Sequence, residues 1–266
     1  MKLKKVLSVL GLTVVLMLAG CGASGSSDGN EGADIQKIKD AGVLKVGVKV
    51  DVPKFGYKDP ATEKNEGMEV DIAKALAKEI LGDESKVQFQ GVTAKTRGPL
   101  LDNGELDMVI ATFTITPERK ESYNFSQPYF TDGVGLLVKK DSGINGLADL
   151  NGKTVGVAQS ATTKKSLEDA AKEANITLKF SEFASYPEIK AALDSGRVNA
   201  FSVDSAILNG YVDDSTVILS DRFTPQEYGV ATKKANTDLA KLVDDKIGQM
   251  KSNGELNALI DKWEIK

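Results

Sequence analysis

The chain has 266 residues, with 34 Lys and Arg against 38 Asp and Glu, one cysteine and no histidine. The acidic excess argues against a nucleic-acid or other polyanionic partner. The lack of histidine removes the usual zinc ligand sets and every Ser-His or Cys-His nucleophile pair, and one cysteine allows no internal disulfide. No phosphate loop, metal cluster or heptad repeat stands out, so no cofactor and no metal are expected.

Taken in order, the chain opens with Lys2, Lys4 and Lys5, an apolar run from Val6 to Leu18, and small residues before Cys21. That run is shorter than the roughly 20 residues of a membrane-spanning helix, and Gly/Ser-rich sequence follows at once, so residues 1–20 read as a signal peptide. Leu18-Ala-Gly-Cys21 resembles the bacterial lipobox, which makes Cys21 the expected lipidation site and the first mature residue. Acylation gives a lone thiol in an oxidising compartment a role, and several acyl chains hold a protein to a membrane durably. The leader contains three of the 34 basic residues, leaving 31 against 38 acidic ones in the mature chain. Residues 21–33 read as a flexible tether. The remainder, about 230 residues, suits one large or two small domains.

From Val43 onward, short β-branched runs alternate with amphipathic segments, the pattern of an α/β protein with largely parallel sheets. Strands are expected at Val43–Val48, Lys86–Gly91, Leu106–Ala111, Thr154–Val157, Leu178–Phe183 and Val198–Val203. Helices are expected at Asp71–Leu81, Thr163–Ala174, Pro187–Ser195, Thr237–Ser252 and Glu255–Trp263. One internal correspondence relates Leu101-Asp-Asn-Gly104 before a strand to Leu193-Asp-Ser-Gly196 before another, an offset of 92 residues. It points to two similar lobes and makes Thr112 and Asp204 equivalent strand ends. Ligands of open parallel sheets bind beyond the strands' carboxyl ends, so a cleft between lobes that close by a hinge is expected. The chain would cross near Thr131–Leu137 and return near Thr224–Val230. Lobe 1 is then 34–133 with 229–266, and lobe 2 is 134–228.

Thr112-Phe-Thr-Ile-Thr-Pro-Glu-Arg119 is the most informative stretch. Thr116 is a good N-cap and Pro117 a good first helical residue, so a short helix starts beside the strand end. Arg119 lies in its first turn, where a cation opposes the helix dipole. A ligand carboxylate held by the guanidinium would favour that placement, as would pairing with Glu118 or Glu121. Arg97 opens another helix at Thr96 with the same opposition. Lys49 and Arg97 side by side in a cleft would repel, and an anionic ligand group between them would relieve this. Thr162 and Thr163 start a helix suited to an anion. Asp204 is equally readable as the N-cap of a helix from Ser205. Ser185 and Glu188 form a capping-box pattern around Tyr186, whose ring could pack with its hydroxyl in water. Phe113 could wall the cleft.

These residues, with Asn124-Phe-Ser-Gln-Pro-Tyr129, Gly67-Met-Glu-Val-Asp71 and Leu150-Asn-Gly-Lys-Thr-Val-Gly156, resemble the polar-amino-acid-binding proteins of ABC transporters across the whole mature chain. Val46-Gly-Val-Lys49, Thr93–Gly104 and Gln159–Lys165 are most similar to the aspartate/glutamate-binding, PEB-one-like branch. The resemblance implies a two-lobed type II periplasmic-binding-protein fold with the ligand in the cleft. Arg119, helped by Thr114 and the N–H groups of Thr162 and Thr163, would take the α-carboxylate, and Asp204 the α-ammonium. Lys49, Arg97, Thr112 and Tyr186 would surround the ligand side chain.

The expected function is therefore capture of an acidic amino acid, aspartate or glutamate, for an ABC permease by a monomeric, extracytoplasmic protein lipid-anchored to the outer face of the cell membrane. A neutral polar ligand such as glutamine is the alternative. A carbocyclic dehydratase on the same fold is a minor one, since the cleft offers cations plus Asp204 rather than a general acid. An adhesin or sensory role is not excluded by fold.

Overall fold

The computed structural model describes residues 32–265. The signal segment, Cys21 and the tether up to Glu31 lie outside the described residues. Ala33, assigned to the tether on sequence, opens the first helix.

In chain order the elements are α1 (Ala33–Ala41), β1 (Leu44–Val48), β2 (Asp51–Val52), β3 (Gly56–Lys58), β4 (Asn65–Glu66), α2 (Met68–Leu81), β5 (Val87–Gly91), α3 (Arg97–Asp102), β6 (Met108–Ile110), α4 (Pro117–Ser122) and β7 (Tyr123–Phe125). There follow β8 (Phe130–Lys139), β9 (Thr154–Ala158), α5 (Thr163–Glu173), β10 (Lys179–Phe183), α6 (Tyr186–Asp194), β11 (Ala200–Asp204), α7 (Ser205–Leu208), β12 (Thr216–Ile218) and β13 (Phe223–Tyr228). The chain ends with β14 (Ala231–Lys233), α8 (Thr237–Ser252) and α9 (Glu255–Lys262). Among the described residues, no helix is long and apolar enough to cross a membrane.

Two flanked sheets make the two lobes, a type II periplasmic-binding-protein fold. The first has the order β5-β1-β6-β14-β7, the second β10-β9-β11-β8-β12 with β13 also on β8, and β2-β3-β4 form a small antiparallel meander. The expectation of mainly parallel sheets holds only for β5-β1-β6 and β10-β9-β11. β14, β8, β12 and β13 run antiparallel, so both sheets are mixed. The departures are β8 and β13, which cross between the lobes, and β12 and β14, short strands added antiparallel beside β8 and β6; antiparallel neighbours need no helical crossover.

The α2 helix shows why the layers form. Ile72, Ala73, Leu76, Ala77 and Ile80 recur at helical spacing and are all buried, each large aliphatic contributing roughly 1.5–3 kcal/mol. The helix ends at Gly82 in a left-handed cap. It starts at Met68, three residues before the sequence pattern indicates, because Gly67 has φ +122° and lies against the Phe55 carbonyl. A Cβ at residue 67 would come 2.1 Å from that oxygen, so only glycine turns the chain here. The early start brings Glu69 into the buried first turn.

The 92-residue correspondence is visible in three dimensions. Gly104 and Gly196 both have left-handed φ, and β6 and β11 are each the third strand of their sheet. Thr112 follows the first of these and Asp204 ends the second, at the cleft. The two lobe crossings are zipped together: Tyr129 N–H donates to Tyr228 O at 2.9 Å and Ser126 N–H to Val230 O at 2.9 Å. At the far end Asp71 accepts from Trp263 Nε1 at 2.8 Å and pairs with Lys262 at 2.6 Å, fastening the C-terminal helix to the first lobe.

Candidate functional site: a charged cleft between the lobes

The lobes touch across their strand ends. Arg119 Nη2 reaches Ser160 O at 3.2 Å, and Tyr186 N–H approaches Asp51 Oδ2 at 3.4 Å. The Tyr211 hydroxyl donates to the Asp51 carbonyl. Lys49, Arg97, Thr112, Thr114, Thr163, Tyr186 and Asp204 are all at most 5% exposed, while Arg119 and Thr162 are half-buried. The structure thus brings the nine residues singled out on sequence together where the two lobes meet.

Arg119 is placed by α4. Thr116 Oγ1 accepts from the Arg119 N–H at 3.2 Å as the N-cap, with Pro117 at the first helical position. The side chain then folds back, donating from Nη1 to Thr114 O at 2.8 Å. Among the described residues no carboxylate lies within ion-pair distance of it, which removes the pairing with Glu118 or Glu121. Burial, and then Arg97 beside it, lowers its pKa to about 9, so it stays protonated at neutral pH but is electrostatically strained. Phe113 separates the two guanidiniums, with Arg97 Cζ 4.1 Å and Arg119 Cζ 4.8 Å from the ring centroid. Such contacts give a desolvated cation part of what water gave it.

Arg97 Nη1 donates to Ala111 O at 2.6 Å and Thr112 O at 3.1 Å, while its Nε is buried without a protein partner among the described residues. Thr112 holds these carbonyls in place from an unusual backbone, φ +45°, rarely adopted by a β-branched residue. Its N–H donates to Glu69 Oε1 at 2.6 Å, and the Tyr129 hydroxyl donates to the same oxygen at 2.6 Å. Burial raises the Glu69 pKa, against the effect of those two donors and of Arg97 and Lys49.

Lys49 is not a solvated strand-end lysine. Its Nζ sits 2.9 Å from Asp51 Oδ1 and 4.5 Å from the Tyr186 ring centroid. Burial lowers its pKa, and Asp51 opposes that. The Tyr186 hydroxyl is likewise not in water. Burial raises its pKa, and Ser185 makes no side-chain cap bond, while Glu188 Oε2 accepts from Ala184 N–H at 3.1 Å instead.

Asp204 stands at the N-terminus of α7 but does not cap it with its side chain. Asp132 does that work, Oδ2 accepting the Ala206 N–H at 2.7 Å. The Asp204 carboxylate turns to the Tyr228 hydroxyl, and burial pushes its pKa up to about 7. On the α5 side, Thr162 also leaves its helix uncapped, its hydroxyl donating to the buried Gln226 Oε1 at 2.7 Å. The first N–H groups of α5 therefore lack a side-chain acceptor, the arrangement that suits an anion at a helix start.

Glu69, Asp51 and Tyr228 were not singled out on sequence as site residues, and Tyr129 was marked only within a motif carrying the resemblance. Asp51 lies two residues from Lys49, and Glu69 sits in a motif carrying the resemblance, but nothing local marks either as buried. Three cations, Lys49, Arg97 and Arg119, face three carboxylates, Asp51, Glu69 and Asp204. No group of three or more metal-ligating side chains is present among the described residues.

Two lobes meeting over a charged cleft, with an anion-ready helix start facing a forked arginine, define a solute-binding protein. Residues 44–266 match the model of bacterial extracellular solute-binding proteins, family 3, and the chain belongs to that family. Its relatives include the ABC transporter glutamine-binding protein of Bacillus subtilis, 40% identical over 265 residues, covering 97% of this chain and 95% of the relative. The glutamine-binding protein of Geobacillus stearothermophilus is 41% identical over 249 residues, covering 88% and 94%. A glutamate/aspartate import solute-binding protein of Salmonella typhimurium is 30% identical, covering 98% and 88%. Among solved structures, an ancestral amino-acid-binding protein described as a precursor of cyclohexadienyl dehydratase superposes with TM-score 0.77 at 35% identity, covering 87% of this chain and 99% of that one.

Proposed function

We propose that the chain is the extracytoplasmic solute-binding component of an amino-acid ABC importer and that its ligand is a neutral polar L-amino acid, with glutamine first. The observation that carries the reading is the ion pair that Asp51 makes with Lys49 beside the ligand site. Arg119 and the α5 start would take the α-carboxylate, with Thr114, Thr162 and Thr163 at its edges. Asp204 would take the α-ammonium. What remains around the ligand side chain is Lys49, already ion-paired with Asp51, and Arg97, held by backbone carbonyls, beside Thr112 and Tyr186, so one of the two cations has its partner in the protein. The expectation of an acidic ligand rested on Lys49 and Arg97 as unpaired cations, and Asp51 removes half of that argument. Two relatives at about 40% identity are named for glutamine. The acidic reading keeps one specific support, the buried Arg97 Nε without a protein acceptor.

The working cycle is capture by closure: the ligand contacts both lobes, favours the closed state and shifts the hinge along β8 and β13 toward it. A membrane permease reads that state. The lobes divide at 34–133 with 229–266 and at 134–228, the protein acts as a monomer, and Cys21 carries the lipid that holds it to the membrane. No reaction is catalysed on this reading, since these relatives are named as binding proteins. Calorimetric competition among L-glutamine, L-glutamate, L-aspartate and L-asparagine at neutral pH tests the ligand. Glutamine is expected to bind most tightly, and a win for glutamate or aspartate returns the assignment to the acidic class.

A further inference from the structure

We infer that Glu69 is a positioning residue of the binding site, fixing from beneath the cleft the strained Thr112 turn on which both ligand-facing arginines hang. The inference takes its readout from amino-acid binding at this cleft and so rests on the function proposed above.

Glu69 makes no contact with solvent; its Oε1 takes two donors from different parts of the molecule, while its Oε2 is buried without a hydrogen-bond partner among the described residues. Oε1 accepts the Thr112 N–H and the Tyr129 hydroxyl, both at 2.6 Å. Thr112 belongs to the ligand-facing turn after β6. Tyr129 belongs to the segment that crosses to the other lobe and is itself tied by its N–H to Tyr228 O. One buried oxygen therefore joins the turn to the hinge.

The turn needs such a partner. A threonine at φ +45° is sterically unfavourable and persists only where surroundings impose it. The N–H of this residue points down to Glu69, and its carbonyl points to Arg97 Nη1. Two residues on, the Thr114 carbonyl receives Arg119 Nη1. If the Thr112 peptide relaxed to an ordinary φ, its carbonyl would leave Arg97, the following backbone would swing, and both guanidiniums would lose an acceptor. Phe113, held between them, would move as well.

Three variants separate this from a merely structural role, each read by calorimetry with L-glutamine and L-glutamate and by thermal melting. Glu69→Gln keeps a carbonyl acceptor at Oε1 and is expected to bind within about threefold of the wild type, whereas Glu69→Met, of similar volume but without acceptors, loses at least about tenfold. In a Thr112→Gly background, where left-handed φ carries no strain, Glu69→Met is expected to cost less than about threefold further. If the single Met variant melts below the assay temperature, it is read together with Tyr129→Phe, which removes the second stranded donor. The inference is overturned if Glu69→Met binds like the wild type, if Glu69→Gln loses as much as Glu69→Met, or if the loss is unchanged in the Thr112→Gly background. A wild type that prefers L-glutamate overturns the glutamine assignment alone, and the Glu69 comparison then stands on L-glutamate.

Discussion

Asp204 shows what burial does to a single carboxylate. With a pKa near 7 in the closed cleft, against an ordinary value near 3.8, it binds a proton in the folded state over a range where the unfolded chain has lost it. The ligand-free protein is therefore stabilised below that range, and the contribution is lost as pH rises toward 7. An α-ammonium needs the ionised form, so ligand binding runs the opposite way. Affinity is expected to fall by about one order of magnitude between about pH 7.5 and about pH 5.5, and Asp204→Asn to flatten that profile while weakening binding at both ends. Calorimetry across the range checks both. Arg119→Ala would strand the α-carboxylate opposite the α5 start and is expected to cost roughly 2–5 kcal/mol, a loss of affinity of about thirtyfold to several thousandfold. Near-native affinity in that variant would move the carboxylate elsewhere.

At the scale of elements, the site is an arrangement of helix starts. The α4 helix delivers Arg119 through the Thr116 cap, and Thr116→Ala is expected to lose about 1 kcal/mol of stability together with a several-fold loss of affinity, measurable by denaturant melts and titration on the same sample. The α5 helix offers N–H groups because its first hydroxyl is engaged by Gln226. A second set of contacts closes the cleft without the ligand: Tyr211 and Tyr186 of the second lobe both bond to Asp51 of the first. Tyr211→Phe is expected to weaken every ligand by a similar factor, about three- to tenfold, because it destabilises the closed state and leaves recognition intact. A change in the glutamine-to-glutamate ratio would show instead that Tyr211 acts on specificity.

For the molecule as a whole, closure should be directly visible. Small-angle scattering is expected to report a smaller radius of gyration on adding the preferred amino acid, and an unchanged radius would remove the hinge from the mechanism. Lobe order and site composition were readable to different depths in the sequence. The β-α alternation, the α4 cap and the paired Gly104 and Gly196 turns are local signals, set by propensity and by glycine's freedom at positive φ, so they survive reading residue by residue. The antiparallel strands β8, β12, β13 and β14 were not, because pairing direction depends on which distant strand lies alongside.

The same division holds for function. A leader expected over residues 1–20, a histidine-free acidic chain and the motif from Thr112 to Arg119, with the family resemblance they carry, gave the expectation of an exported binding protein with a charged cleft. Whether those charges attract an acid or cancel one another was not decidable there, since charge balance is a property of distances. Only the fold puts Asp51 2.9 Å from Lys49, brings buried Glu69 under Thr112, and hands the α7 cap to Asp132 so that Asp204 faces the cleft. Buried charges are weakly screened, so the partners that the tertiary structure sets beside each cation govern the field that a ligand meets.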